Sequence, residues 1–209
     1  MEVGPGLGYE PVADGELAAL VTYLEMRAPP AKPLPGSALT LRELKPVDLD
    51  HYRRLYRLVG AHWLWFSRLL RDDESLDAIV NDPAVDVFAV VDSDGAEVGF
   101  LELDYREPGQ CELAFVGLVP EMSGKGHGKW LLAEAVHRAW RNGVERVHVH
   151  TCTLDHPAAL SAYRRAGFVP FRRAIERFAD PRLLGHLPRD CAPQVPLLGT
   201  PTLAPLPAS

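Results

Sequence analysis

Residues 111–129 read CELAFVGLVPEMSGKGHGK. The apolar run 113–119 has strand character, Pro120 ends it, and glycines follow at Gly124, Gly126 and Gly128. Residues 130–136, WLLAEAV, then carry a helical pattern. A strand that feeds a glycine-rich turn into a helix is a place to hold phosphate. The first N–H groups of a helix lack intrahelical partners and carry the positive end of its dipole. Glycine lets the backbone approach an anion with no Cβ in the way. A Walker loop is excluded, because Ser123 stands where its first Gly is required and Trp130 follows Lys129 in place of Ser or Thr. A dinucleotide fingerprint is excluded too, because Lys129 holds the place of its third Gly. A glycine turn with no ligand is the alternative, and strand–helix context decides between the two.

On either side of this stretch the chain reads as one mixed α/β unit. Upstream, residues 38–44 alternate as a strand, and Asp48 is an N-cap for a helix to about Val59, which Gly60 breaks. Residues 63–80 read as a second helical region, stopped by Asp82-Pro83. Residues 85–91 and 98–105 form a hairpin across the turn Asp92-Ser93-Asp94-Gly95, and a further turn leads into 111–119. Downstream, a helix over 130–142 ends at Gly143. A strand follows over 146–152, then a short helix with Pro157 in its first turn, then Gly167 and a strand over 168–178. Residues 17–26 fit a helix and a strand equally well. Residues 28–36, with four prolines, read as a linker or extended arm. The organisation expected is an N-terminal arm (1–36), a domain (37–180) and a Pro-rich, disordered tail (181–209). No internal repeat is present.

Composition narrows the function classes. The chain has 209 residues, 47% of them hydrophobic, enough for one good core. A net charge of -6 argues against nucleic acid as a partner. Cys111, Cys152 and Cys191 form no disulfide framework, which suits a reducing cytoplasm. No stretch reads as a signal peptide or a membrane span, so a cytoplasmic location and no membrane partner are expected.

Two segments carry a resemblance to the GCN5-related N-acetyltransferases. The loop Ser123-Gly124-Lys125-Gly126-His127-Gly128 is similar to that family's pyrophosphate loop, with Ser123 where Gln or Arg is commoner. Residues 152–168, CTLDHPAALSAYRRAGF, are similar to its later motif: Ala159, Tyr163, Gly167 and Phe168 match, and His156 stands where Asn is common. The element order agrees over roughly residues 37–178. The resemblance implies an α/β (α+β) acyl-CoA N-acyltransferase fold, with a mixed, mostly antiparallel central sheet and helices on both faces. It implies transfer of acetyl from acetyl-CoA to a small-molecule or peptide amine by direct attack in a ternary complex. A non-catalytic acyl-CoA-binding module is the alternative. An arm like 1–36 sometimes completes a homodimer.

The resemblance also distributes roles. Main-chain amides along Ser123, Gly124, Lys125, Gly126, His127, Gly128 and Lys129 would take the pyrophosphate. Residues 115–119, including Val116, Gly117 and Leu118, would pair with the pantetheine arm and polarise the thioester. His156 would edge the cofactor site. Tyr163 would be the acid facing the sulfur; a phenol of pKa about 10 is protonated at neutral pH. Glu112, read as sharing a strand face with Ala114, Val116 and Leu118, is the favoured base, with Glu102 and Asp104 as other candidates. Trp63, Trp65, Glu102 and His150 would wall the acceptor pocket, although tryptophans at helical spacing are also ordinary core. His148, His150 and Cys152 alternate on one strand, but zinc spacing is missing and no metal is expected.

Overall fold

The computed structural model describes residues 8–31 and 33–200. Seven strands form one sheet in the order β2-β3-β4-β5-β6-β1-β7. They are β1 (Glu16–Met26), β2 (Thr40–Glu43), β3 (Val85–Val91), β4 (Glu97–Asp104), β5 (Gln110–Leu118), β6 (Arg146–Cys152) and β7 (Val169–Ala179). Four α-helices join them: α1 (Leu49–Gly60), α2 (Asp73–Val80), α3 (His127–Ala139) and α4 (Ala159–Ala166). Among the described residues only the β5–β6 pair is parallel, as the crossover through α3 requires.

Helices cover both faces. On one, α1 places Tyr52 edge-on against Phe100 of β4, ring centroids 5.4 Å apart. On the other, Arg138 of α3 lies over Phe88 of β3, 4.9 Å from its centroid. The α1 stripe Tyr52, Leu55, Tyr56 and Val59 follows helical spacing and is fully buried. Asp48 caps this helix as expected, Oδ1 accepting from the His51 N–H at 2.7 Å.

Several expectations are corrected. Residues 17–26, left open between helix and strand by the sequence, are strand, and β1 is no detached arm: it pairs with β6 on one side and β7 on the other. Leu24 and Met26 bury on one face, Ala19 and Val21 on the opposite one. A strand covered on both faces loses the clean alternation that would have marked it. A single 3-10 turn over Ala61–Trp63 follows α1, and residues 64–72 are not helical. Leu64 is left-handed (φ 56°), Trp65 N–H returns to Gly60 O at 3.0 Å, and the helix starts only at Asp73, capped by Asp72. Helix α3 starts three residues earlier than expected and leaves helical geometry at Trp140, before Gly143.

The first part of the expected disordered tail is packed, as far as Val195. Arg182 donates from Nη2 to Asp180 Oδ2 at 2.7 Å and from Nε to Oδ1 at 3.0 Å, with both side chains 2% exposed. Its Nη1 reaches the Val195 carbonyl at 2.9 Å. Asp180 and Arg182 thereby staple residues 191–195 to the end of β7. Residues 201–209 of the expected tail and 1–7 of the expected arm lie outside the described residues.

Strand β5 carries the irregularity that shapes the site. Glu102 faces Phe115 but Leu103 faces Leu113, so Ala114 is an extra residue. This bulge puts Leu113 and Phe115 on opposite faces. Glu112, Phe115 and Gly117 face α1, whereas Leu113, Val116 and Leu118 face α3. The expectation that Glu112 shares a face with Val116 and Leu118 is therefore overturned.

Candidate active site

The parallel pairing of β5 with β6 has only three registered pairs, the last being Glu112↔His148. Beyond it the two strands part, and, among the described residues, 113–118 keep hydrogen-bonded neighbours on the β4 side alone. A cleft of about 1460 Å³ passes through the opening and is lined from both faces of the sheet. The α3 side contributes Leu131, Leu132, Ala162 and Tyr163, and the α1 side Trp65, His150, Glu176 and Phe178. A cleft of this size suits a long, largely apolar ligand better than a compact one.

At one end lies the glycine loop. Gly124 and Gly126 adopt φ of 76° and 82°, which only glycine takes without strain. Gly126 precedes α3 with no side-chain cap. Among the described residues, no protein acceptor takes the N–H groups of 124–128. A Cβ at Gly124, Gly126 or Gly128 would meet nothing within 4 Å, so the concavity is open. Ser123, Gly124, Gly126, Gly128 and Lys129 line the cleft, as do Val116, Gly117 and Leu118. Lys125 and His127 are not part of that lining; His127 Nδ1 lies 3.5 Å from Ser37 Oγ instead. What they can offer an anion is backbone, with the free N–H groups supplying it.

Tyr163 of α4 is buried but borders the cleft, and its hydroxyl bonds to no described protein atom. Burial pushes the phenol well above its ordinary value, so it stays protonated. His156 accepts from the Ala158 N–H through Nδ1 at 3.0 Å, ordering the turn before α4. Its ring meets Trp63 at 5.1 Å, also at the cleft.

On the α1 side, Glu112 does not line the cleft; His150 does. The two are bonded, His150 Nδ1 to Glu112 Oε1 at 3.2 Å. That bond raises the imidazole above its ordinary value and lowers the carboxyl. His150 Nε2 has no partner among the described residues.

Glu102 is corrected as a pocket residue and as a base. It is fully buried, accepting from Tyr52 Oη at 2.5 Å and from Arg68 Nη2 at 2.5 Å, and it does not line the cleft. Asp104 is taken up by Arg106, which holds its carboxyl below the usual range despite burial. Burial pushes the Cys152 thiol up to about 11, so it makes a poor nucleophile. Among the described residues, no group of three His, Cys, Asp or Glu is placed to hold a metal.

Trp63 and Trp65 both reach the cleft. The Trp65 indole donates to Asp155 Oδ1 at 3.4 Å, while Asp155 Oδ2 accepts from Thr151 Oγ1 at 2.6 Å and the Cys152 N–H at 2.9 Å. Sequence reasoning missed Asp155, Glu176 and Phe178 as wall residues, whereas Phe66 lies in the 62–68 stretch expected to form the wall. Phe66 and Phe178 stack at 4.6 Å from distant parts of the chain. For β7 alternation was a usable signal, since Glu176 and Phe178 share a face.

A splayed parallel strand pair, a glycine turn with free main-chain N–H groups and a cleft crossing the sheet define an acyl-CoA N-acyltransferase-like fold. The chain belongs to the acetyltransferase (GNAT) family, whose profile matches residues 51–168. It is 31% identical over 152 residues to a mycothiol acetyltransferase of Clavibacter michiganensis subsp. michiganensis (strain NCPPB 382), covering 68% of this chain and 48% of the relative. The chain thus spans about half the length of that curated relative. Among solved structures, a GCN5-related N-acetyltransferase from Sphaerobacter thermophilus aligns with a TM-score of 0.55 at 23% identity, covering 82% of this chain and 53% of that one. The spermidine N-acetyltransferase of Vibrio cholerae, in complex with CoA and spermine, aligns at 0.53 and 22%, covering 69% and 97%. Both share the fold.

Proposed function

We propose that the chain transfers the acetyl group of acetyl-CoA to a primary amine by direct attack in a ternary complex. The observation that carries this reading is the early end of the β5–β6 pairing at Glu112↔His148. It leaves a strand margin open in the cleft, in line with the free amides of the glycine loop. The pyrophosphate rests on those amides, with Lys129 adding charge, and the pantetheine arm extends the sheet along residues 115–118. Main-chain N–H groups there polarise the thioester carbonyl.

The acceptor enters from the α1 side, between Trp65 and Phe178. His150 takes the ammonium proton, and Glu112 is its positioning residue, held behind the ring by their hydrogen bond. The free amine attacks the carbonyl carbon, the C–N bond forms, the nitrogen gives up its second proton to water, and the C–S electron pair leaves on sulfur. Tyr163 faces that sulfur. Its raised pKa makes full proton transfer to a thiolate uphill, so it stabilises the departing sulfur as a hydrogen-bond donor. The thiolate takes its final proton from water.

Calorimetry with CoA, followed by thiol release on an amine panel, tests the reading. Spermidine, spermine and mycothiol-type amines come first, as the compounds named with the relatives. Binding together with amine-dependent CoA release is the expected result. Absence of CoA binding removes the whole assignment, and binding without release on any amine leaves a non-catalytic acyl-CoA-binding domain.

A further inference from the structure

Strand β7 is an edge strand of 11 residues. Its inner margin pairs with β1, and among the described residues its outer N–H and C=O groups between 169 and 178 meet no partner. The strand is exposed along most of its length, with Val169 at 63%, Phe171 at 48% and Ile175 at 71%. Long open edges of this kind template pairing with another strand, and folds normally cover or charge them. Here charges are present, but their arrangement favours pairing with a like strand.

We propose that two copies of this chain associate through β7, antiparallel about a two-fold axis at Ala174, to make one sheet continuous across both. In that register Arg172 of each copy faces Glu176 of the other, on the same sheet face, on either side of the Ala174 pair. Arg173 faces Ile175 on the opposite face. Neighbouring registers are disfavoured by charge. Centring on Arg172, Arg173 or Glu176 sets a like charge against itself, and centring on Ile175 sets Arg173 against Arg177. Opposite charges directly across a ladder stabilise it and like charges destabilise it, so the register is selected.

Both groups are available. Among the described residues neither Arg172 nor Glu176 has an ion pair within the chain; the Arg172 guanidinium lies over Tyr23, 5.2 Å from its centroid. The contact is isologous, the form that closes as a dimer. It also reaches the site. Glu176 borders the cleft, so Arg172 of the second copy stands at the mouth of the acceptor side. Each site is then finished by a residue of the other copy.

Sedimentation velocity on the 209-residue chain tests this without reference to turnover, so its outcome is independent of the proposed reaction. The wild-type chain is expected to be dimeric in the micromolar range. R172E places Glu against Glu and E176R places Arg against Arg, so each variant alone is expected to be monomeric. An equimolar mixture of the two restores both complementary pairs and is expected to form a heterodimer, which misfolded chains could not do. As a second measurement, A174C is expected to form a disulfide-linked dimer on mild oxidation, because facing Cα atoms in an antiparallel ladder lie at about 4.5–5.5 Å, within disulfide range. A monomeric wild-type chain overturns the proposal. So does dimerisation that survives R172E and E176R, a mixture that stays monomeric, or the absence of the A174C cross-link.

Discussion

Two side chains carry the proton bookkeeping, and each makes a separable prediction. His150 is expected to be the base, so H150Q should lower kcat by roughly 10²- to 10⁴-fold with CoA affinity unchanged. The bond from Glu112 raises the His150 pKa, and a base is competent only above its own pKa. The acid limb of kcat/KM should therefore lie above 6.5 in the wild type. E112Q removes the carboxylate that raises it, so the limb should shift to lower pH while the plateau falls; pH–rate profiles of both proteins check this. A merely structural Glu112 would leave the limb in place. Tyr163→Phe removes a hydrogen bond to a developing thiolate, and kcat should drop roughly ten- to a hundredfold with no change in the CoA dissociation constant.

The acceptor wall depends on how α1 ends. A Cβ at Gly60 would come within 2.5–2.6 Å of the Trp65 ring and its Cβ, and one at Gly117 within 2.8 Å of Val59 and 3.1 Å of Trp65. The indole is thus held between two glycines, one closing α1 and one on the splayed strand. Alanine normally favours a helix over glycine by about 1 kcal/mol, but here overpacking costs about 1–3 kcal/mol and displaces the ring. G60A should raise the acceptor KM while leaving CoA affinity intact, and loss of Trp65 quenching or a shifted emission maximum would report the displacement. An unchanged KM would mean that Trp65 is core and nothing more.

The assembled fold relies on residues far apart in the chain. Asp180 and Arg182 form a bidentate pair with both side chains 2% exposed, and through it the segment after β7 is held down. Removing one member strands a buried charge, which costs about 3–5 kcal/mol. D180A should lower the urea midpoint accordingly, with the slope of the transition unchanged. A midpoint equal to wild type would show that residues 181–200 are tied by other contacts.

The glycine loop and the α4 motif were legible because their chemistry is local. Backbone N–H groups at a helix start, glycines with positive φ and a capped short helix all follow from neighbours within a few residues. The N-cap at Asp48 and the hairpin over β3 and β4 were legible for the same reason. The identity of β1 was not, because burial on both faces erased its periodicity. Nor was the true side of Glu112: one extra residue at Ala114 inverts the strand alternation, and a bulge is defined only by the partner strand. Glu102 read as a candidate acid–base group because it alternates with Asp104, yet Tyr52 and Arg68, 50 and 34 positions away, enclose it. Local spacing sets turns, caps and helix starts, since those interactions close over short loops. Which carboxylate faces substrate and which is sealed in the core is set by pairing between distant strands, and only the folded sheet contains that information.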